Sequence, residues 1–153
     1  MLAVTLQSWV TRQPRAWLAP ERDRTGLAPG ACSVLVVDDD RGVRRLTARM
    51  LRTEGYSVFE AESGAEALRA LETDPDIRLL VTDIVMPEMD GLVLADLALA
   101  KLPHLRVMLM TGHAPELTAH LDLHPSPLPV LLKPFTAEQL LGKVRDTLAG
   151  GQH

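Results

Sequence analysis

Aromatic residues are scarce in this chain. Two tryptophans, one tyrosine and two phenylalanines make up 3% of 153 residues, too few for the stacking platforms on which single-stranded nucleic acid is read. There is one cysteine, Cys32, so no internal disulfide can form. Positive charge is not in excess either: 16 basic against 20 acidic residues give a formal charge of −4, which argues against a surface that coats nucleic acid. No apolar run approaches the ~20 residues that a membrane helix needs. Gln7, Ser8, Thr11 and Arg12 interrupt the N-terminal apolar stretch, so it lacks the build of a secretory leader. Pro29-Gly30-Ala31-Cys32 has the outline of a lipoprotein cleavage site, but nothing upstream supplies the apolar segment. The cytoplasm is the expected compartment, with neither membrane nor nucleic acid as a partner. The five histidines, His104, His113, His120, His124 and His153, lack the spacing of paired zinc ligands.

What remains is 46% apolar and 24% charged, the balance of one globular domain. A chain of about 150 residues buries roughly two-thirds of its unfolded surface, enough for a core without staples. Residues 1–31 differ from the rest. They hold Trp9 and Trp17, three prolines, and four arginines against Glu21 and Asp23, a local charge of +2. They read as a tail or linker, residues 32–150 as the folded domain and 151–153 as a C-terminal tail. Without the tail the chain carries a charge of −6.

From Ser33 onward, short apolar runs alternate with amphipathic stretches, the pattern of a parallel sheet covered by helices on both faces. Val34 to Val37 is continuous and β-branched, as a strand buried on both sides should be, and it ends in Asp38-Asp39-Asp40. Asp40 is placed to cap a helix from Arg41, with Val43, Leu46, Met50 and Leu51 inward, until Gly55 stops it. Tyr56 to Phe59 alternates like an edge strand. Ser63 to Glu66 has capping-box spacing and opens a helix carrying Leu68 and Leu71. Ile77 to Val81 is the third strand, followed by Asp83, and Asp90-Gly91 opens a helix through Leu92, Leu94, Ala95 and Ala98. Val107 to Met110 is the fourth strand, ending at Thr111. Pro115 starts a short helix to about Leu123, and Pro125, Pro127 and Pro129 make a stiff connection. Val130 to Leu132 is the fifth strand, ending at Lys133-Pro134. Thr136 and Gln139 form a second capping box, on a helix with Leu140, Leu141, Val144 and Leu148 inward.

Four strands thus end in a residue with chemistry to offer: Asp38 and Asp39, Asp83, Thr111, and Lys133. In open parallel sheets the carboxyl ends of the strands line one edge, and ligands bind there. Three carboxylates brought together repel, each pair at ~4 Å costing on the order of 4 kcal/mol at an effective dielectric near 20. They call for a cation, and an oxygen-only, partly hydrated site favours Mg²⁺. Carboxylate, Mg²⁺, hydroxyl and ammonium on one edge are the parts needed to move a phosphoryl group onto an acid by positioning and charge neutralisation. Asp83 is the best nucleophile, alone on its strand end, while Asp38 and Asp39 come as a pair suited to the metal.

These residues resemble the receiver domain of two-component response regulators. The motifs VLVVDDD (34–40), LLVTDIVMPEMDG (79–91), VMLMTGH (107–113) and VLLKPF (130–135) stand in the family's order and at similar intervals, over roughly Ser33 to Leu148. The resemblance implies a doubly wound α/β fold with a five-stranded parallel sheet in the flavodoxin-like order 2-1-3-4-5. It implies that Asp83 is the phosphoacceptor, and that Asp38, Asp39, Asp83 and the backbone carbonyl of Val85 hold Mg²⁺. Thr111 and Lys133 would bind phosphoryl oxygens, and Pro134 would follow a cis peptide. The implied partners are a histidine kinase or histidine phosphotransfer protein and an unknown output protein. The chain reads as a monomer or weak dimer, without an output domain, and a receiver detached from a hybrid kinase fits equally.

Two features depart from well-known members, the switch position and the pair of positions that set lifetime. Where the family often has an aromatic switch residue stands Val130, which has no ring to swing. Val85 and His113 match positions that tune hydrolysis of the acyl phosphate; Val85 cannot orient a water, whereas His113 has the ring nitrogens to do so. A rival reading is a haloacid-dehalogenase-like phosphatase, with Asp38 as nucleophile, Asp40 beside it, and Thr111 and Lys133 as later motifs. It needs a further acid pair, and after Lys133 only Glu138 and Asp146 remain, both on a helix. A flavodoxin-like flavin protein lacks its Ser/Thr/Gly-rich loop here.

Overall fold

The computed structural model describes residues 32–112 and 128–150. The expected tails, the helix from Pro115 to about Leu123, His113, and Pro125 and Pro127 lie outside these residues. The apolar runs are strands: β1 (Ser33–Val37), β2 (Ser57–Ala61), β3 (Ile77–Asp83), β4 (Arg106–Thr111) and β5 (Val130–Leu132). Between and after them run α1 (Arg41–Thr53), α2 (Gly64–Thr73), α3 (Gly91–Lys101) and α4 (Ala137–Leu148). All five strands are parallel, in the order β2-β1-β3-β4-β5. The two edge strands carry the least continuous burial, alternating in β2 and partial in β5. Among the described residues no helix is long and apolar enough to cross a membrane.

Alternation along each strand divides the core in two. Leu35, Val37, Leu80, Val107 and Leu109 face Ala67 and Leu71 of α2 and Leu94, Ala95 and Ala98 of α3. Val34, Val36, Leu79, Val81, Met108 and Met110 face Leu51 of α1 and Leu140, Val144 and Leu148 of α4. Continuous apolar runs are thus the consequence of helices on both sides.

The caps fall where side-chain chemistry places them. Asp40, Ser63, Asp90 and Thr136 each accept a hydrogen bond from the backbone N–H three residues on. Thr136 and Gln139 make the full reciprocal box. Two local expectations are corrected. Glu66 does not close the box on Ser63; its carboxylate reaches one residue further back and accepts from the Glu62 N–H at 2.7 Å. Leu46 is not inward but 51% exposed, because α1 seats Thr47, Ala48 and Leu51 on the sheet.

Candidate functional site

Strand register levels the sheet's carboxyl edge. Val37 pairs with Thr82, Asp83 with Met110, and Thr111 with Leu132. Asp38 therefore comes out beside Asp83, and Thr111 and Lys133 end the next two strands. The Lys133 N–H donates to the Thr111 carbonyl at 2.9 Å, tying the last two positions together. The β1/β3 junction is where strand order reverses, the place in such sheets where ligands sit.

Asp38 is fully buried. Its Oδ1 accepts from the Asp40 N–H at 2.9 Å, and its Oδ2 accepts from Lys133 Nζ at 2.9 Å. Asp83 is nearly buried, with Oδ2 at 3.3 Å from the same ammonium. Asp39 is exposed. One carboxylate oxygen from each of Asp38, Asp39 and Asp83 lies within 4.8 Å of the others. An all-oxygen donor set, buried at the back and open at Asp39, fits a small hard cation that keeps part of its water. Thr111 is buried at its strand end. The Val85 side chain is apolar and 52% exposed, so the backbone carbonyl is the one oxygen this residue can offer a cation. Val130 is half-buried on β5, level with Leu109. The peptide between Lys133 and Pro134 is cis.

The loop after Asp83 is pinned at both ends. Ile84 and Met86 are buried, the Met89 N–H donates to the Pro87 carbonyl, and the Gly91 N–H donates to the Ile84 carbonyl, both at 2.7 Å. Glu88 turns the chain at φ 70°, in the left-handed region.

Burial is the main cause that raises the Asp83 pKa above its ordinary 3.8. The charge of Asp38 adds to it, and Lys133 opposes without cancelling. For Lys133, burial by itself would lower the pKa, but the hydrogen bond and charge of Asp38, followed by those of Asp83, reverse this and raise it above 10.5. The ammonium is thus held charged between two acids, one of which is still not at ease ionised. A raised Asp83 pKa means the folded state binds this proton more tightly than the unfolded chain does. Stability from this group is therefore greatest below the ordinary carboxylate value and falls as pH rises through the raised one. Asp83→Asn is expected to raise the metal-free unfolding free energy at pH 7, because it removes the burial of an ionised acid. Urea unfolding checks this, and a less stable variant would show that the ionised acid is welcome in the fold.

One contributor was not foreseen. Arg44 lies on the same stripe of α1 as Thr47, Ala48 and Leu51, and its Nη1 donates to the Asp38 backbone carbonyl at 2.9 Å. The sequence signal was an arginine at core-facing spacing. Asp40, required beside Asp38 by the phosphatase reading, spends its Oδ1 on the Val43 N–H as the cap of α1. Glu138 and Asp146 are exposed on α4.

The sequence profile of the response regulator receiver domain matches residues 34–145. The chain is 37% identical over 115 residues to the response regulator receiver protein CpdR of Brucella abortus, covering 75% of this chain and 95% of that one. It is 35% identical over 120 residues to the sensor kinase CckA of the same organism, covering 78% of this chain but only 13% of the kinase. Among solved structures, a response regulator receiver protein from Sinorhizobium medicae superposes with a TM-score of 0.69 at 30% identity, covering 79% of this chain and 97% of that one. With its sheet order, its acidic strand edge and these relatives agreeing, the chain belongs to the receiver domains of two-component response regulators.

Proposed function

We propose that Asp83 accepts a phosphoryl group from a histidine kinase or histidine phosphotransfer protein, and that the altered surface is then read by an output partner in the cytoplasm. The observation that carries this is one ammonium, Lys133 Nζ, held 2.9 Å from Asp38 and 3.3 Å from Asp83, with Asp39 completing an acidic triad. Asp38, Asp39, Asp83 and the Val85 carbonyl would hold Mg²⁺, which when bound supplies the positive charge that offsets an incoming phosphoryl dianion.

The chain's own residues do the rest. A carboxylate oxygen of Asp83 attacks phosphorus; the P–O bond forms as the P–N bond to the donor imidazole breaks, and the departing ring nitrogen keeps the electron pair and takes a proton from water. Lys133 follows a phosphoryl oxygen with its ammonium, and the Thr111 hydroxyl donates to another. Val130 offers no ring to register the change, which leaves Thr111 as the residue that passes it to the surface. His113 remains a candidate for tuning hydrolysis, with Val85 inert.

Incubation with Mg²⁺ and acetyl phosphate tests the assignment by intact mass. Wild type is expected to gain one phosphoryl group and Asp83→Asn none. A gain that survives the substitution would place the acceptor elsewhere.

A further inference from the structure

Two arginines of α1 grip the edge strand in parallel ways. Arg44 Nε donates to Glu60 Oε1 at 3.2 Å, and Arg52 Nη1 donates to Glu60 Oε2 at 3.2 Å. Each also reaches a backbone carbonyl, but a different one. Arg52 Nη2 takes that of Val58, on β2, at 2.8 Å, whereas Arg44 Nη1 takes that of Asp38, at the acid pocket, at 2.9 Å. Arg44 is also the more enclosed, its side chain 12% exposed against 49% for Arg52.

A guanidinium here acts on a bound cation in two opposite senses. Its charge repels the cation, while its hydrogen bond fixes the backbone from which Asp38 and Asp39 project. Glu60, half-buried and paired with it, cancels much of the charge and leaves the geometry. We propose that Arg44, held by Glu60, is a positioning residue that presents Asp38 and Asp39 to a divalent cation through the Asp38 carbonyl. This rests on the metal-binding part of the function proposed above. The planar fork is what allows one side chain to span strand-end carbonyl and carboxylate together; a lysine ammonium, a point donor on a flexible stem, cannot fix both.

The test is calorimetric titration of the full chain with Mg²⁺, beside urea unfolding of each variant. Arg44→Met is expected to weaken Mg²⁺ binding about tenfold or more, the scale at which outer-shell partners of metal ligands act. Arg44→Lys should weaken it in the same direction despite keeping the charge. Arg52→Met, which breaks the matching grip on Glu60 but touches no acid-pocket carbonyl, should bind Mg²⁺ as wild type does. Tighter or unchanged binding by Arg44→Met would overturn the proposal, since removal of the charge would then dominate. Equal losses in Arg44→Met and Arg52→Met would also overturn it, because the effect would belong to the docking of α1 on β2. Should Arg44→Met fail to fold, Arg44→Lys decides: weakened binding supports the role and wild-type affinity overturns it. Absence of Mg²⁺ binding in wild type would overturn the metal-binding reading and this proposal with it, whereas normal binding in every variant overturns the positioning role alone.

Discussion

In metal-free buffer at pH 7, Lys133→Met is expected to lower the unfolding free energy by about 3 kcal/mol, the low end of what breaking a buried ion pair costs. The low end applies because Lys133 is 19% exposed and part of its charge is already met by water. The loss arises less from attraction removed than from what is left behind. Asp38, with no exposed side-chain surface, keeps the Asp40 N–H on one oxygen and loses its cation from the other. Asp83 loses the charge that opposed its burial, so its already raised pKa rises further. Methionine matches the length of the stem, which keeps the packing change small and isolates the charge.

The pH dependence gives the signature. In the variant the window over which ionisation of Asp83 erodes stability widens upward, so the deficit against wild type is largest at neutral pH and narrows as acid protonates the carboxylate. At the alkaline end the sign runs the other way. A raised Lys133 pKa contributes stability present below 10.5 and lost as pH rises through the higher folded value, so wild type loses there what the variant never had. Adding Mg²⁺ should return part of the variant's stability, since a cation between the acids performs the same neutralisation. Urea unfolding at several pH values with and without Mg²⁺ measures all of this. A deficit below about 1 kcal/mol at pH 7 would make the contact an ordinary surface pair.

Most of the acidic edge was legible because the fold writes it into the chain. Strands buried on both faces become unbroken apolar runs, so the polar residues that close each run mark the sheet's edge, and Asp38, Asp83, Thr111 and Lys133 stand out in the sequence alone. Helix orientation was harder. In α1 the periodicity admits two neighbouring stripes, one through Val43 and Leu46, the other through Arg44, Thr47, Ala48 and Leu51. A pattern based on apolarity favours the first because an arginine counts against the second. The structure takes the second, since the Arg44 stem buries while its guanidinium finds the Asp38 carbonyl and Glu60. That outcome depends on acceptors far away in sequence, which no local window contains. Glu66 failed as a box for a related reason: spacing gives reach, but which of two adjacent amides lies in reach is set by the turn before the helix.

Gly91→Ala is the second substitution expected to have a large effect, and it acts through space rather than charge. Alanine in place of glycine within a helix ordinarily stabilises, by roughly 0.5–1 kcal/mol. At Gly91 a Cβ would run into the main-chain carbonyl oxygen of Asp83, with the Asp83 carbonyl carbon at 2.9 Å and the Ile84 Cα at 3.0 Å. These are backbone atoms of the proposed phosphoacceptor and of the residue after it, at the end of β3, so no flexible side chain can swing aside. The Gly91 N–H also donates to the Ile84 carbonyl at 2.7 Å, and Asp90 caps α3 through the Val93 N–H, so the helix start cannot retreat without breaking both. The expected loss is about 3 kcal/mol, at the upper end for overpacking. Any relaxation must move Asp83, so the variant that still folds should also take up phosphoryl groups more slowly from acetyl phosphate. Gly142→Ala is the internal control. It lies within α4, where among the described residues a Cβ would meet the far end of the Arg145 side chain at 4.0 Å, and it should gain the ordinary helix preference instead. If Gly91→Ala unfolds at the same urea concentration as Gly142→Ala, the close approach of α3 to the end of β3 is not what holds Asp83 in place.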